Sequence, residues 1–208
     1  MRQYLQGTYE NKGRLMRNKE IIAVTNRKLC TRPFLEQLER VAERQPKAIL
    51  LREKDLPEEA YEKLAGEVIA LCQSYGTELI LHNFPAAAEK LGVKTVHLPL
   101  WELQKFQAGE RAAGKECSLK IGCSVHSPAE AKEAERLGAA YLTAGHIYAT
   151  SCKPGIPPRG LDFLREVCRA ATVPVYAIGG IGLEGGRIEE VCAAGAEGAC
   201  IMSDFMKI

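Results

Sequence analysis

The sequence has no apolar run approaching the roughly 18 residues that a membrane-spanning helix requires, and its first segment, MRQYLQGTYENKGRLMRN, lacks the apolar centre of a secretory signal. A cytoplasmic protein is expected. Nor is there an excess of one charge: 28 Lys and Arg stand against 26 Asp and Glu, so no general electrostatic pull draws the chain toward nucleic acid or an anionic membrane. With no basic stripe and no helix-turn-helix pattern, neither partner is expected. C-x-x-C pairs and zinc-type Cys/His spacings are missing too. The cysteines, Cys30, Cys72, Cys117, Cys123, Cys152, Cys168, Cys192 and Cys200, are scattered and read as small buried hydrophobes in a reducing compartment. Cys152 stands apart because it lies in a polar loop.

What is present is a chain of 208 residues, 46% apolar and 26% charged, a length and composition that suit one globular domain. Residues 1–18 are polar and aperiodic and read as an N-terminal extension to a domain over 19–208. From residue 20 onward, short β-branched or leucine-rich runs alternate with longer amphipathic stretches. Strands are expected at 21–25, 48–52, 78–82, 94–98, 119–124, 140–145, 174–179 and 198–203, with helices near 33–44, 57–75, 85–91, 101–113, 127–138, 160–171 and 184–194. Ser127-Pro128-Ala129-Glu130 carries the marks of a helix start, an N-cap hydroxyl followed by proline and an acid in the first turn; Gly138 marks its end. Strands apolar on both faces, each followed by a helix, imply parallel pairing, and eight such units close into a (β/α)8 TIM barrel, with an open doubly wound sheet as the alternative. Five residues follow Ser203, so the eighth helix is expected to be missing or reduced to a turn, with the extension or a second subunit covering the gap.

Barrel active sites collect at the C-terminal ends of the strands. All four histidines, His82, His97, His126 and His146, fall there, as does Asn83. For His97 and His126, capping of strand ends is the plainer reading. His146 differs, since it follows Gly145 at the mouth of the sixth strand and opens HIYATSCKPGIPPRG, a loop polar enough to be a lid. The seventh strand ends in Gly179 and Gly180 and the eighth in Ser203. Loops after these two strands form the usual phosphate cradle of a barrel, so a phosphorylated small molecule is expected. Arg52 and Lys54 lie two apart at the end of the second strand, where period-two geometry sends both toward the barrel centre to meet a second anion. A solvated charged loop is the competing reading, and Lys153 is a third candidate cation.

The stretches REKDLP (52–57), GCSVHSPAEAKEAERLGAAY (122–141), AGHIYATSCKPGIPPRG (144–160), PVYAIGGI (174–181) and AGAEGACIMS (194–203) resemble, in order and spacing, the superfamily of thiamine-phosphate synthases and TenI-type thiazole tautomerases. Members of the synthase branch hold Mg²⁺ on aspartates after the third and fourth strands, in patterns resembling N-D and H-x-G-Q-x-D. Here those places read His82-Asn83-Phe84 and His97-Leu98-Pro99-Leu100-Trp101, without the carboxylates. Where the synthase branch has G-P-[IV]-[FY], this chain has Gly145-His146-Ile147-Tyr148, a pattern that resembles the tautomerase branch.

The resemblance therefore implies an isomerase that aromatises a carboxythiazole phosphate by proton transfer through His146, with no cofactor and no metal. It implies a phosphate on Gly179, Gly180 and Ser203, a substrate carboxylate near Ser151, Cys152 and Lys153, strand-two cations at Arg52 and Lys54, rim contacts from Asn83 and His126, and a homodimer. Two alternatives stay open: a synthase-like transferase with metal ligands relocated to Glu53, Asp55 or Glu102, and a nonenzymatic protein that binds a phosphorylated thiazole or thiamine compound.

Overall fold

Residues 20–114 and 117–208 are described by the structure, a computed structural model, so the extension expected over 1–18 lies outside the described residues. The strands are β1 (Ile21–Val24), β2 (Ala48–Leu51), β3 (Glu78–His82), β4 (Thr95–Pro99), β5 (Lys120–Val125), β6 (Ala139–Gly145), β7 (Val175–Ile178) and β8 (Gly198–Ile201). Each pairs in parallel with the next, and β1 pairs with β8, closing the barrel and removing the open-sheet alternative. Between them run α1 (Phe34–Glu43), α2 (Glu58–Tyr75), α3 (Pro85–Leu91), α4 (Leu100–Ala113), α5 (Pro128–Arg136), α6 (Gly160–Ala170) and α7 (Arg187–Ala193). The expected boundaries hold to within about three residues. A one-turn 3₁₀ helix at Arg27–Leu29, capped by the Asn26 side chain accepting from Lys28 N–H, was not foreseen.

Period-two alternation sorts the side chains of every strand. Ile21, Ala23, Ile49, Leu51, Leu79 and Leu81 belong to the outer core against the helices, whereas Ile22, Val24, Ala48, Leu50 and Ile80 join Tyr141, Tyr176 and Cys200 inside the barrel. Carried one or two residues further up each strand, the inward parity reaches Arg52 and Lys54, His82, His97, Ser124, Thr143, Ile178 and Met202. The barrel interior thus grades from aliphatic to polar toward the C-terminal rim.

After β8 the described chain forms only a turn over 203–207, whose Phe205 and Met206 are buried. The buried Gln37 of α1 donates its amide N–H to the Phe205 carbonyl at 2.6 Å, so this turn occupies the place of the eighth helix. Closure itself depends on a close approach between the first and last strands. A Cβ at Gly198 would lie 1.8 Å from the Glu20 carbonyl oxygen, a backbone atom that cannot rotate away. Gly198→Ala is expected to lose about 3 kcal/mol of stability, read as a shift in the urea midpoint; a midpoint equal to the parent's would show that the β1–β8 seam can yield.

Candidate active site

A cavity of about 850 Å³ opens at the C-terminal rim and receives the inward residues of β2 to β8, a size suited to one or two small metabolites. One wall is cationic. Arg52, Lys54 and Lys153 line it, and none of them makes an ion pair with a described carboxylate. Burial pushes the Arg52 guanidinium and the Lys54 ammonium below their ordinary pKa values, and Lys54 is pushed further by Arg52 and Lys153. Cations gathered without counter-charges are a receptor for an anion.

The carboxylates next to them in sequence are already engaged. Glu53 is buried, accepts the Thr25 hydroxyl at 2.7 Å, receives Arg27 N–H at 3.1 Å, and pairs with the Arg27 guanidinium at 3.0 Å. Thr25 Oγ1 in turn accepts Arg52 N–H at 2.9 Å, so this network fixes the backbone from which Arg52 enters the cavity. Asp55 binds Arg27 and Lys28, and these cations hold its carboxyl at about 2.

The floor is neutral. His97 is buried, with Nε2 at 2.8 Å from Ser124 Oγ and Nδ1 at 3.1 Å from Tyr141 OH, while Ser124 and Thr143 hydroxyls meet at 3.2 Å. Burial lowers His97 to about 3. His82 falls to about 2, through burial first and then the nearby His97, Arg52 and Lys54. Both imidazoles are uncharged at neutral pH. His97 is therefore an interior hydrogen-bonding group, not the strand cap expected for it, whereas His126 sits at the rim with its own N–H on Glu130 at 2.7 Å.

His146 follows the cis Gly145–His146 peptide and is 5% exposed. Its Nε2 lies 3.3 Å from the Ile156 carbonyl, which can only accept, so an Nε2–H donates there. The Nδ1 of the same ring is buried and has no partner. The glycines Gly179 and Gly180 line the cavity, but the expected reason for them changes. A Cβ at Gly179 would strike His146 Cβ at 2.3 Å, and one at Gly180 would strike the Ala149 carbonyl oxygen at 2.5 Å. They make room for the loop after β6. The N–H groups of Gly180, Gly182 and Ser203 donate to no carbonyl among the described residues.

The cavity brings together Arg52, Lys54, Asn83, His126, His146, Cys152, Lys153, Gly179, Gly180 and Ser203. Ser151 does not belong with them: it is exposed and outside the lining, because its neighbours Thr150 and Cys152 turn inward in its place. Sequence reasoning also missed Trp101 and Arg187. The Arg187 guanidinium sits on the Gly180 carbonyl and 4.5 Å from the Tyr148 ring centroid, bracing the glycine turn. No motif marks either residue, since each reaches the rim from the first turn of a helix.

The Mg²⁺ implied by the resemblance to synthases does not fit this donor set. Mg²⁺ is usually held by one or two carboxylates together with substrate phosphates. Asn83 offers one neutral amide oxygen, Glu53 and Asp55 are bound to cations away from the lining, and Glu102 is outside it; the carboxylates that do line the cavity, Glu184 and Asp204, stand after β7 and β8, where Asp204 Oδ2 accepts Leu183 N–H at 2.9 Å. Among the described residues no three His, Cys, Asp or Glu side chains gather in a way that could hold a metal.

Comparison with known proteins separates what the resemblance had joined. A thiamine-phosphate synthase of Pyrococcus horikoshii is 32% identical over 90% of this chain and 86% of its own, and one of Listeria welshimeri is 38% identical over 68% of this chain and 67% of its own. The solved thiamine phosphate pyrophosphorylase of Pyrococcus furiosus superposes with a TM-score of 0.74 at 28% identity, covering 92% of this chain and 89% of that one. These relatives are synthases, which are transferases, and they overturn the isomerase expected from the histidine at position 146. The profile described as thiamine monophosphate synthase matches residues 21–205, which is nearly the whole described barrel, and the chain belongs to that TMP-TENI family.

Proposed function

We propose that the chain is a transferase of the thiamine-phosphate synthase type, joining a pyrimidine carrying a methylene pyrophosphate to a thiazole phosphate. In that reaction a C–N bond forms between the thiazole nitrogen and the methylene carbon, the C–O bond to pyrophosphate breaks, and pyrophosphate leaves with the electron pair. The observation that carries this reading is one cavity with two anion-receiving places. Arg52, Lys54 and Lys153 oppose the charge that grows on the departing pyrophosphate, and the free N–H groups of Gly180, Gly182 and Ser203 take the thiazole phosphate.

Between them the uncharged floor suits the two rings. Every group in this reading comes from one chain, so the homodimer implied by the resemblance is not required for the chemistry.

The missing carboxylates favour one second reading, a protein that binds phosphorylated thiazole or thiamine compounds without joining them. Incubation with pyrimidine pyrophosphate and thiazole phosphate, with Mg²⁺ supplied as counter-ion to the pyrophosphate, decides between the two. Thiamine phosphate formed with release of one pyrophosphate is the expected outcome. Tight binding of both compounds with no product would replace the transferase by the binding protein.

A further inference from the structure

The lysines of the chain differ in what their ammonium groups meet. Lys28 pairs with Asp55 at 2.9 Å, Lys90 pairs with Glu62 at 2.5 Å, and Lys47 donates to the Tyr176 hydroxyl at 2.5 Å. An oxygen partner of this kind favours the charged form, and Glu62 accordingly raises the pKa of Lys90. Lys54 has no ion pair and no side-chain hydrogen bond among the described residues.

The reason lies one residue to either side of it. Glu53 is buried against the Thr25 hydroxyl and the Arg27 guanidinium, and Asp55 is bound by Arg27 and Lys28. Both carboxylates that chain proximity would offer to Lys54 are therefore taken by cations of the 3₁₀ turn after β1.

What Lys54 meets instead is more positive charge. It lines the cavity together with Arg52 and Lys153, and loss of water at the cavity wall, followed by the repulsion of these two cations, pushes its pKa down. A lysine whose surroundings favour the neutral amine is a nucleophile toward carbonyl carbon. The same neighbours attract phosphates. Amine and phosphate receptor thus share one cavity of about 850 Å³.

We propose that Lys54 is a covalent capture site for aldehydes that carry a phosphate group: Arg52 and Lys153 hold the phosphate, and the Lys54 amine forms an imine with the aldehyde carbon. The nitrogen lone pair makes the new C–N bond, the nitrogen gives up both its protons, and the carbonyl oxygen departs with them as water. Hydrolysis reverses the step, so capture is a reversible block on the cavity. It requires only the amine and its two cationic neighbours and stands apart from the coupling reaction.

Pyridoxal phosphate is the probe, because its imine absorbs visible light and borohydride fixes the adduct for peptide mapping. With the full chain, a reduced adduct on Lys54 is expected to form ahead of adducts on other lysines, and inorganic pyrophosphate is expected to suppress it. Pyridoxal, which lacks the phosphate, is expected to label Lys54 at least about tenfold less, because nothing holds its aldehyde beside the amine. Lys54→Arg keeps the positive charge and removes the nucleophile, and since Lys54 makes no bond within the fold the barrel stays intact. That variant is expected to lose the adduct, and Lys153→Arg to keep it.

Equal labelling of the parent and Lys54→Arg would overturn the assignment, as would an adduct centred on Lys153. Equal labelling by pyridoxal and its phosphate, or an adduct that pyrophosphate leaves untouched, would overturn it too, because the cations would then have no part in it. The capture site and the transferase fail separately: an adduct in a chain that does not couple keeps the first and removes the second, and coupling by a chain that forms no adduct does the reverse.

Discussion

Arg52→Met is expected to lower kcat/KM for the coupling by about 10²–10³-fold, the loss typical of removing one preorganised group from the position where charge develops. Arg52 is well placed for that effect. It is half-buried whereas Lys54 and Lys153 are exposed, and a charge with less surrounding water acts more strongly on a leaving group. Its backbone N–H is tied to Thr25, and Glu53 behind it is tied to Arg27, so the backbone from which the guanidinium extends is fixed by a buried network.

Methionine keeps most of the packing volume and removes only the charge. Steady-state kinetics with both substrates varied gives the loss, and a thermal melt checks that the barrel remains folded. Lys153, in the exposed loop after β6, is expected to matter less, about tenfold for Lys153→Met, because solvent screens it and the loop must order before it helps. Activity of Arg52→Met within threefold of the parent would remove the cationic wall from the mechanism.

Acidification is expected to destabilise the barrel steeply, well above the range in which carboxylates protonate. His82 and His97 have folded pKa values of about 2 and about 3, against roughly 6.5 in an unfolded chain. Below 6.5 the unfolded state takes up protons that the folded state refuses. The stability from keeping these rings neutral is therefore complete above about pH 6.5 and is lost as the pH falls toward the folded values. Two such rings remove about 3–4 kcal/mol between pH 7 and pH 5.

Urea midpoints at pH 7, 6 and 5 measure the slope, and His82→Gln is expected to lower stability at pH 7 while roughly halving its change toward pH 5. A parent protein equally stable at both ends of that interval would mean that protons reach these rings without unfolding. Asp55, held at about 2 by Lys28 and Arg27, adds its own loss only below about pH 4, so the interval from pH 7 to pH 5 reads the histidines without it.

Much of the barrel was legible because its signals are local. Strands such as AILL at 48–51 are apolar on both faces and short, and Ser127-Pro128 starts α5 as its residue types require, with Ser127 accepting Glu130 N–H at 3.1 Å. Alternation within β2 was enough to bring Arg52 and Lys54 to the cavity together. Ser151 failed for a related reason: a loop has no period, and nothing in T-S-C-K says which side chains turn inward. Trp101 was invisible because an aromatic residue in the first turn of a helix reads as ordinary core until its exposure is known.

The expectation for His146 shows a different limit. A histidine in place of proline suggested proton transfer and led to an isomerase, whereas the relatives that cover most of the chain are synthases. A titratable side chain specifies a reaction only together with the groups that meet its substrate. Those groups come from several loops far apart in sequence.

By itself the amino-acid sequence determined the order of strands and helices and the rim on which polar residues gather, since each follows from periodicity and from the handedness of parallel crossovers, while the β1–β8 pairing decided that the sheet closes. Only the tertiary structure decided which carboxylates are consumed by the Arg27 network, which cations are left without partners, and why the glycines after β7 must lack side chains. Those are properties of pairs and clusters, and their energies depend on separations of a few ångströms between residues that the chain places tens of positions apart.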